Sequence, residues 1–433
     1  MKLIKSLMLG AALFASSGFV WAADQFVPLL SYRVGPYGSN GTSFFGGMID
    51  YMNLVNMNGG VNGVKLTWEE CETEYNPSRG VECYERLKSK YGGASIVEPL
   101  STSIAYGILD RVATDKIPLT TIGYGRSDAA NGKVFPYVFP LITTYWNQAA
   151  AMVVYLGEKS GGMDKLKGKK IVHLYHDSAY GKEPLPVLEA EAAKYGFELI
   201  KIPVAPPGNE QQSQWLQIRQ ANPDYVIMWT FGVMSAVGLK TAQRNGFPRE
   251  KILGVWWAGS EEDTEPAGEA AKGYSAMSYN TPGNFPLIDE IRTKIYSAGK
   301  GNLKELDRVG NVMYIRGITA AVMMVEALRT SQNKYGKGKT VTGEQMRWGL
   351  ENLNIDAARQ KALGVSDMFP TIKTSCDDHE GSGAVKVVQW DGKQWVAVSK
   401  NWITGDKVLV RKLLEESSAS YAKEKGITPA CMK

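Results

Sequence analysis

Several short runs in this 433-residue chain carry the residue types of known chemistries. Gly125-Arg126-Ser127-Asp128-Ala129 holds the serine of a nucleophile elbow, G-x-S-x-G, but lacks the last glycine of that sharp turn. Gly338-Lys339-Thr340 resembles the end of a phosphate-binding loop, yet Asn333 stands where its first glycine belongs. Gly123-Tyr124-Gly125 opens a dinucleotide fingerprint that Asp128 interrupts. His379-Glu380 is followed by Gly381, with no second histidine at the H-E-x-x-H spacing. Glu261-Glu262-Asp263 reads as a solvated loop rather than an acid/base pair. With every catalytic pattern incomplete, the chemistry left to explain is that of binding: hydroxyls and aromatic rings at the ends of strand-like runs.

Those runs alternate with helical ones. Phe26 to Tyr32 is a strand candidate, and Gly35 to Gly41 a loop. Thr42 or Ser43 caps a helix that Gly59-Gly60 stops. Strand Val64 to Trp68, helix Pro77 to Tyr91, strand Ala94 to Val97, helix Thr102 to Thr114 and strand Ile117 to Ile122 follow. A second series begins after Asn147, with strands at Lys170 to Tyr175, Glu198 to Val204, Tyr225 to Trp229 and Ile252 to Trp256, separated by helices. Ala384 to Trp390, Asp391-Gly392 and Gln394 to Ser399 give a β-hairpin signal. Alternation at this spacing predicts two α/β units with mostly parallel sheets. Ligands of such sheets bind outside the carboxyl ends of the strands, where helix N-termini present free N–H groups.

The N-terminus sets the compartment. Lys2 and Lys5 precede an uncharged apolar run, Leu7 to Val20, and Val20-Trp21-Ala22 supplies a signal-peptidase site. The run is shorter than the ~20 residues a membrane span needs. An exported, periplasmic protein cleaved near Ala22 is expected. Without that leader the chain has 47 basic and 44 acidic residues, a charge too small to suggest nucleic acid or an anionic membrane as partner. Overall 44% of residues are hydrophobic and 21% charged, as in an ordinary globular protein.

Four cysteines in an exported chain read as disulfides. Of the three pairings, Cys71–Cys83 and Cys376–Cys431 are favoured, because a short strand–loop–helix connection brings the first two within bridging distance. There is no C-x-x-C and only three histidines, His173, His176 and His379, so no metal site is expected.

Together these residues resemble the periplasmic ligand-binding proteins of ABC importers, specifically the branched-chain amino acid binding family. Gly35-Pro36 before a helix and Asn58 to Gly63 before a strand are similar to its opening. Glu72 to Pro77 is similar to its D-x-x-x-x-P element, Tyr175 to Gly181 to its H-D-x-x-Y-G loop, and Trp390-Asp391-Gly392 to its C-terminal hairpin. The resemblance covers nearly the whole chain after the leader. It implies the type I periplasmic binding fold: two α/β lobes, each a mostly parallel sheet flanked by helices, with three hinge crossings near Tyr137 to Thr143, Ser275 to Thr281 and Leu363 to Ile372. The lobes would comprise residues 23–140 with 280–365, and 141–279 with 366–433. It implies closure on a small-molecule ligand, a membrane permease as partner, a monomer, no cofactor and no catalysis.

The resemblance places ligand contacts at Ser101 and Thr102, at Tyr124, and at Tyr180. Tyr37, Arg126, Trp229, Phe231 and Trp256 complete the expected site. Amino acid binders of the family carry a glutamate for the ligand ammonium where this chain has Trp256. Burying an ammonium without an opposing charge is costly. Glu261 or Asp263 could substitute, but the expected ligand is a non-zwitterionic carboxylate, amide or aromatic compound. The alternatives are a hydrophobic amino acid ligand, an exported α/β hydrolase, or a ligand sensor for a membrane receptor.

Overall fold

The computed structural model describes residues 24–432; the leader expected at 1–22 lies outside the described residues. The first lobe holds two separate two-stranded parallel sheets, Gln25–Leu29 with Leu66–Glu70 and Leu119–Thr120 with Val138–Phe139, and the second lobe one large sheet. The expected strand at Ala94 to Val97 is reduced to one parallel bridge, Val97 to Leu119. The large sheet has seven strands in the order Trp395–Ala397, Lys386–Trp390, Ser275–Ser278, Ile252–Gly254, Tyr225–Trp229, Lys170–His176, Glu198–Val204. The last five are parallel; the expected hairpin sets Lys386–Trp390 antiparallel to Ser275–Ser278 and Trp395–Ala397 antiparallel to Lys386–Trp390. Tyr225–Trp229 is buried along its whole length, as a strand covered by helices on both faces must be.

Two helices organise the first lobe. Gly38–Met57 packs along Val312–Tyr335, which is buried nearly all round. A Cβ on Gly317 would fall 1.8 Å from the Phe44 carbonyl oxygen, so glycine is what lets the two backbones touch. The same cause explains why the first of these helices starts four residues before the expected Thr42. A Cβ on Gly41 would fall 1.9 Å from the Tyr32 carbonyl oxygen, so the glycines let the helix begin tight against the strand end.

The chain leaves the first lobe after Phe139, and Thr144 caps helix Tyr145–Lys159 of the second lobe, accepting from Asn147 N–H. It returns after Ser278, where Thr281 N–H bonds to the Met368 carbonyl. The expected third crossing, Leu363 to Ile372, ends on Ile372–Lys373, which pairs antiparallel with Asn354–Ile355; the chain joins the large sheet at Lys386. Cys71–Cys83 and Cys376–Cys431 are both disulfides. Among the described residues no helix is long and apolar enough to cross a membrane.

Candidate functional site

Strands Lys170–His176 and Tyr225–Trp229 are neighbours whose following connections leave on opposite sides of the sheet. That switch point opens a crevice at their carboxyl ends. Tyr180 and Phe231 stand on the two loops there and face the first lobe across a cavity of about 10 Å3. This is room for about one water molecule. The walls are therefore almost in contact, and rings fill the space between them.

On the first-lobe side, Leu100 takes a left-handed backbone (φ 44°) that turns the chain from the sheet into helix Thr102–Asp115. Ser101 caps this helix, its hydroxyl accepting from Ile104 N–H at 3.4 Å. Thr102 Oγ1 accepts from Gly125 N–H at 3.3 Å. The expected pair thus lines the cavity, each hydroxyl oxygen accepting one backbone N–H and keeping its own O–H to donate. Tyr124 also lines the cavity. Its hydroxyl accepts from Leu100 N–H at 2.8 Å and donates to buried Glu98, whose carboxyl is pushed up to about 8 by burial. Tyr32 and Tyr75 complete this wall, and the Tyr32 hydroxyl is buried without a protein partner.

The second-lobe wall is aromatic. Tyr180 donates to the Thr230 carbonyl at 2.9 Å, which fixes its ring. Phe231 stacks on Tyr37 with centroids 5.2 Å apart. Tyr145 and Trp257 close the remaining side. The strand expected to run to Trp256 stops at Gly254, and Trp256–Ala258 is a 3-10 turn. The turn sends the two neighbouring indoles to different places. Trp257 lines the cavity, while fully buried Trp256 lies behind Tyr145, stacked on it at 5.7 Å. Both donate to the Gly123 carbonyl, at 2.7 Å from Trp256 and 2.9 Å from Trp257, so one first-lobe oxygen joins the lobes twice.

Other expected site residues lie back from the cavity. Tyr37 sits behind Phe231, its hydroxyl 2.9 Å from His176 Nε2. Burial holds that histidine down at about 4, so it is neutral. Trp229 is buried and edge-on to Tyr145. Arg126 points away: it pairs with Asp128 at 2.9 Å and lies over Tyr421 at 4.3 Å. The residues that sequence reasoning did not single out are Tyr32, Tyr75, Leu100, Tyr145 and Trp257. Tyr145, just past the first crossing, and Trp257, beside Trp256, carried a positional signal; Tyr75 carried none.

The rim differs from the centre. Second-lobe Glu262 accepts from Ser43 at 2.6 Å, and Glu261 from Val312 N–H at 3.0 Å. On the opposite rim Glu183 accepts from Ser127 N–H at 2.7 Å and from the Tyr106 hydroxyl. Burial pushes Glu183 up to about 7 and Glu261 up to about 8. Asp263 is held by Ser260 in a capping box. Neither Glu261 nor Asp263 lines the cavity, and no charged side chain does. Among the described residues no cluster of histidine, cysteine or carboxylate side chains has the geometry of a metal site.

Known proteins share this architecture. The family model described as periplasmic binding protein matches residues 25–394. A crystal structure from the Pseudomonas fluorescens group, described as an ABC transporter permease, is 49% identical with a TM-score of 0.88, over 95% of this chain and all of that one. A branched-chain amino acid ABC transporter protein from Thermus thermophilus with bound valine is 21% identical with a TM-score of 0.74, over 90% of this chain and 99% of that one. The curated Leu/Ile/Val-binding protein homolog 3 of Brucella melitensis is 23% identical over 215 residues, 49% of this chain and 55% of the relative. The chain belongs to the periplasmic binding protein family.

Proposed function

From that membership we propose that the chain is the ligand-capturing component of an ABC importer, exported to the periplasm, which closes its two lobes on a small molecule and hands it to a membrane permease. Closure of this kind is a standard response of two-lobe binders. The pairing of Trp256 and Trp257 with a single first-lobe carbonyl supports it, since such bonds form only when the lobes meet.

The ligand class follows from one observation: rings and small hydroxyls wall the cavity, and no charged side chain does. A ligand ammonium there would be desolvated with no carboxylate to offset it, at a cost of several kcal/mol. The ligand is a non-zwitterionic carboxylate, amide or aromatic compound. Its head group lies against the N-terminus of helix Thr102–Asp115 and the free Tyr32 hydroxyl. Its body displaces the rings of Tyr180, Phe231 and Trp257, because the space between them is too small as it stands. The hydrolase alternative has little support: the run around Ser127 lacks the last glycine of a nucleophile elbow, and Ser127 Oγ is buried without a hydrogen-bond partner.

A thermal-shift screen of benzoate, short-chain amides, leucine and valine tests the reading. A ligand at about 100 times its Kd adds roughly 2.7 kcal/mol of stability. Stabilisation by the aromatic acid or an amide, with none by leucine, is expected. Micromolar binding of leucine overturns the ligand class and returns the protein to the amino acid binders.

A further inference from the structure

The family match ends at residue 394, and the chain then adds helix Lys407–Lys425. Nineteen residues make a rod of about 28 Å. One end sits on the second lobe. Asp406 caps it, accepting from Leu409 N–H at 3.0 Å, and pairs with Lys194 of helix Leu185–Tyr195. Gly405 presses on helix Tyr145–Lys159, where a Cβ would fall 2.3 Å from that of Ala150. The other end sits on the first lobe. Ser417 donates to Asp128 at 2.7 Å, and Ser418 accepts from Asn131 at 2.9 Å. Tyr421 stacks on Phe135 at 4.6 Å and donates to Asp110 at 3.1 Å; Lys425 reaches the same aspartate at 2.9 Å. Past the helix, Ala430 N–H bonds to the Lys133 carbonyl and Cys431 is joined to Cys376. The buried stripe Val410, Leu414, Ser418, Ala422 runs at i,i+4 spacing from one lobe to the other.

We infer that this helix is a strap that limits how far the lobes part. The inference rests on the hinge-closing reading above. Three backbone crossings can flex, but a rod fixed to both bodies blocks their rotation unless one set of anchors lets go. The second-lobe end is rooted in the large sheet, where Ile403 and Val385 exchange backbone hydrogen bonds at 2.7 and 2.9 Å. The first-lobe end is held by four side-chain polar contacts and by the link to Cys376, whose segment rests on the first lobe through His379 N–H to the Ala130 carbonyl. The strap is therefore rooted in the second lobe, and its first-lobe contacts are the ones that must give way for the lobes to part.

The test needs no ligand. One variant removes two of the rim carboxylate contacts, Glu183→Ala with Glu262→Ala, and leaves the strap intact. A second adds Tyr421→Ala, Cys376→Ser and Cys431→Ser to release the strap. Small-angle scattering reads the radius of gyration, about 22 Å for a compact chain of this length. Hydrogen exchange confirms that helix Val312–Tyr335 stays protected while 407–425 loosens. If the first variant stays compact and the second expands by about 5% of that radius, the strap holds the lobes. If the first expands as far as the second, the strap is no restraint, and hinge motion stands. If neither expands although 407–425 has loosened, strap and hinge both fail. Should the second variant not fold, Tyr421→Ala with Ser417→Ala, which loosens the same first-lobe end and keeps the disulfide, takes its place with the same outcomes.

Discussion

Where the two lobes face the cavity they present rings, and where they meet at the rim they present carboxylates. Tyr32, Tyr75, Tyr124, Tyr145, Tyr180, Phe231 and Trp257 bring no net charge to the centre. Glu183, Glu261 and Glu262 accept first-lobe hydrogen bonds at the edge. Rings tolerate being exposed and re-covered as a ligand enters, because burial of apolar surface is non-directional. A carboxylate that loses its donor is penalised, so rim contacts hold one geometry. On the proposed function the centre adapts to a ligand, and the rim recognises the closed arrangement.

The strongest way to break this contrast is at the indole pair. Trp256→Ala and Trp257→Ala should each cost about 3–5 kcal/mol of stability in chemical denaturation. Only Trp257→Ala should also abolish stabilisation by a cavity ligand in calorimetry, since Trp256 is a layer behind. Equal loss of binding in both would place Trp256 at the ligand.

The next effect is in pH. Burial raises Glu98 to about 8, so the folded protein holds its proton more tightly than the unfolded chain does. The stability this contributes is complete below the unfolded value near ~4.3 and is lost as pH rises through about 8. Denaturation at pH 5 and pH 8 should show wild type losing stability, and Glu98→Gln should shrink that drop by about 1–3 kcal/mol. A drop of unchanged size would mean that Glu98 is ionised in the fold.

Smaller still are the single hydroxyls. Ser43→Ala takes a donor from Glu262 at the rim and should cost about 1–3 kcal/mol. Ser101→Ala removes a helix cap at the centre and should cost about 1 kcal/mol. Denaturant titration that reversed this order would deny the rim its selectivity. As a baseline, Lys116→Ala breaks an ion pair with Glu344 in which both side chains are more than half exposed, and should stay within about 0.5 kcal/mol.

Sequence determined the fold class because its signals are local. Strand Glu198 to Val204 and strand Tyr225 to Trp229 lie where the apolar runs put them, and Asp391-Gly392 turns the expected hairpin. The glycine-capped helices and the Cys71–Cys83 pair were legible for the same reason, and Cys376–Cys431 was the pair left over. The family resemblance pointed to Ser101, Thr102, Tyr124 and Tyr180, and the next strand end to Phe231, and all five line one cavity. Tertiary structure alone decided which ring faces inward. Trp256 and Trp257 are adjacent and identical, and a strand ending at Gly254 instead of two residues later exchanged their roles. Likewise, Arg126 has the chemistry of a ligand contact, but helix Lys407–Lys425 draws its guanidinium onto Tyr421 from nearly 300 residues away. A side chain's direction depends on where its strand stops and on what distant segment packs against it, and neither is written in the residues nearby.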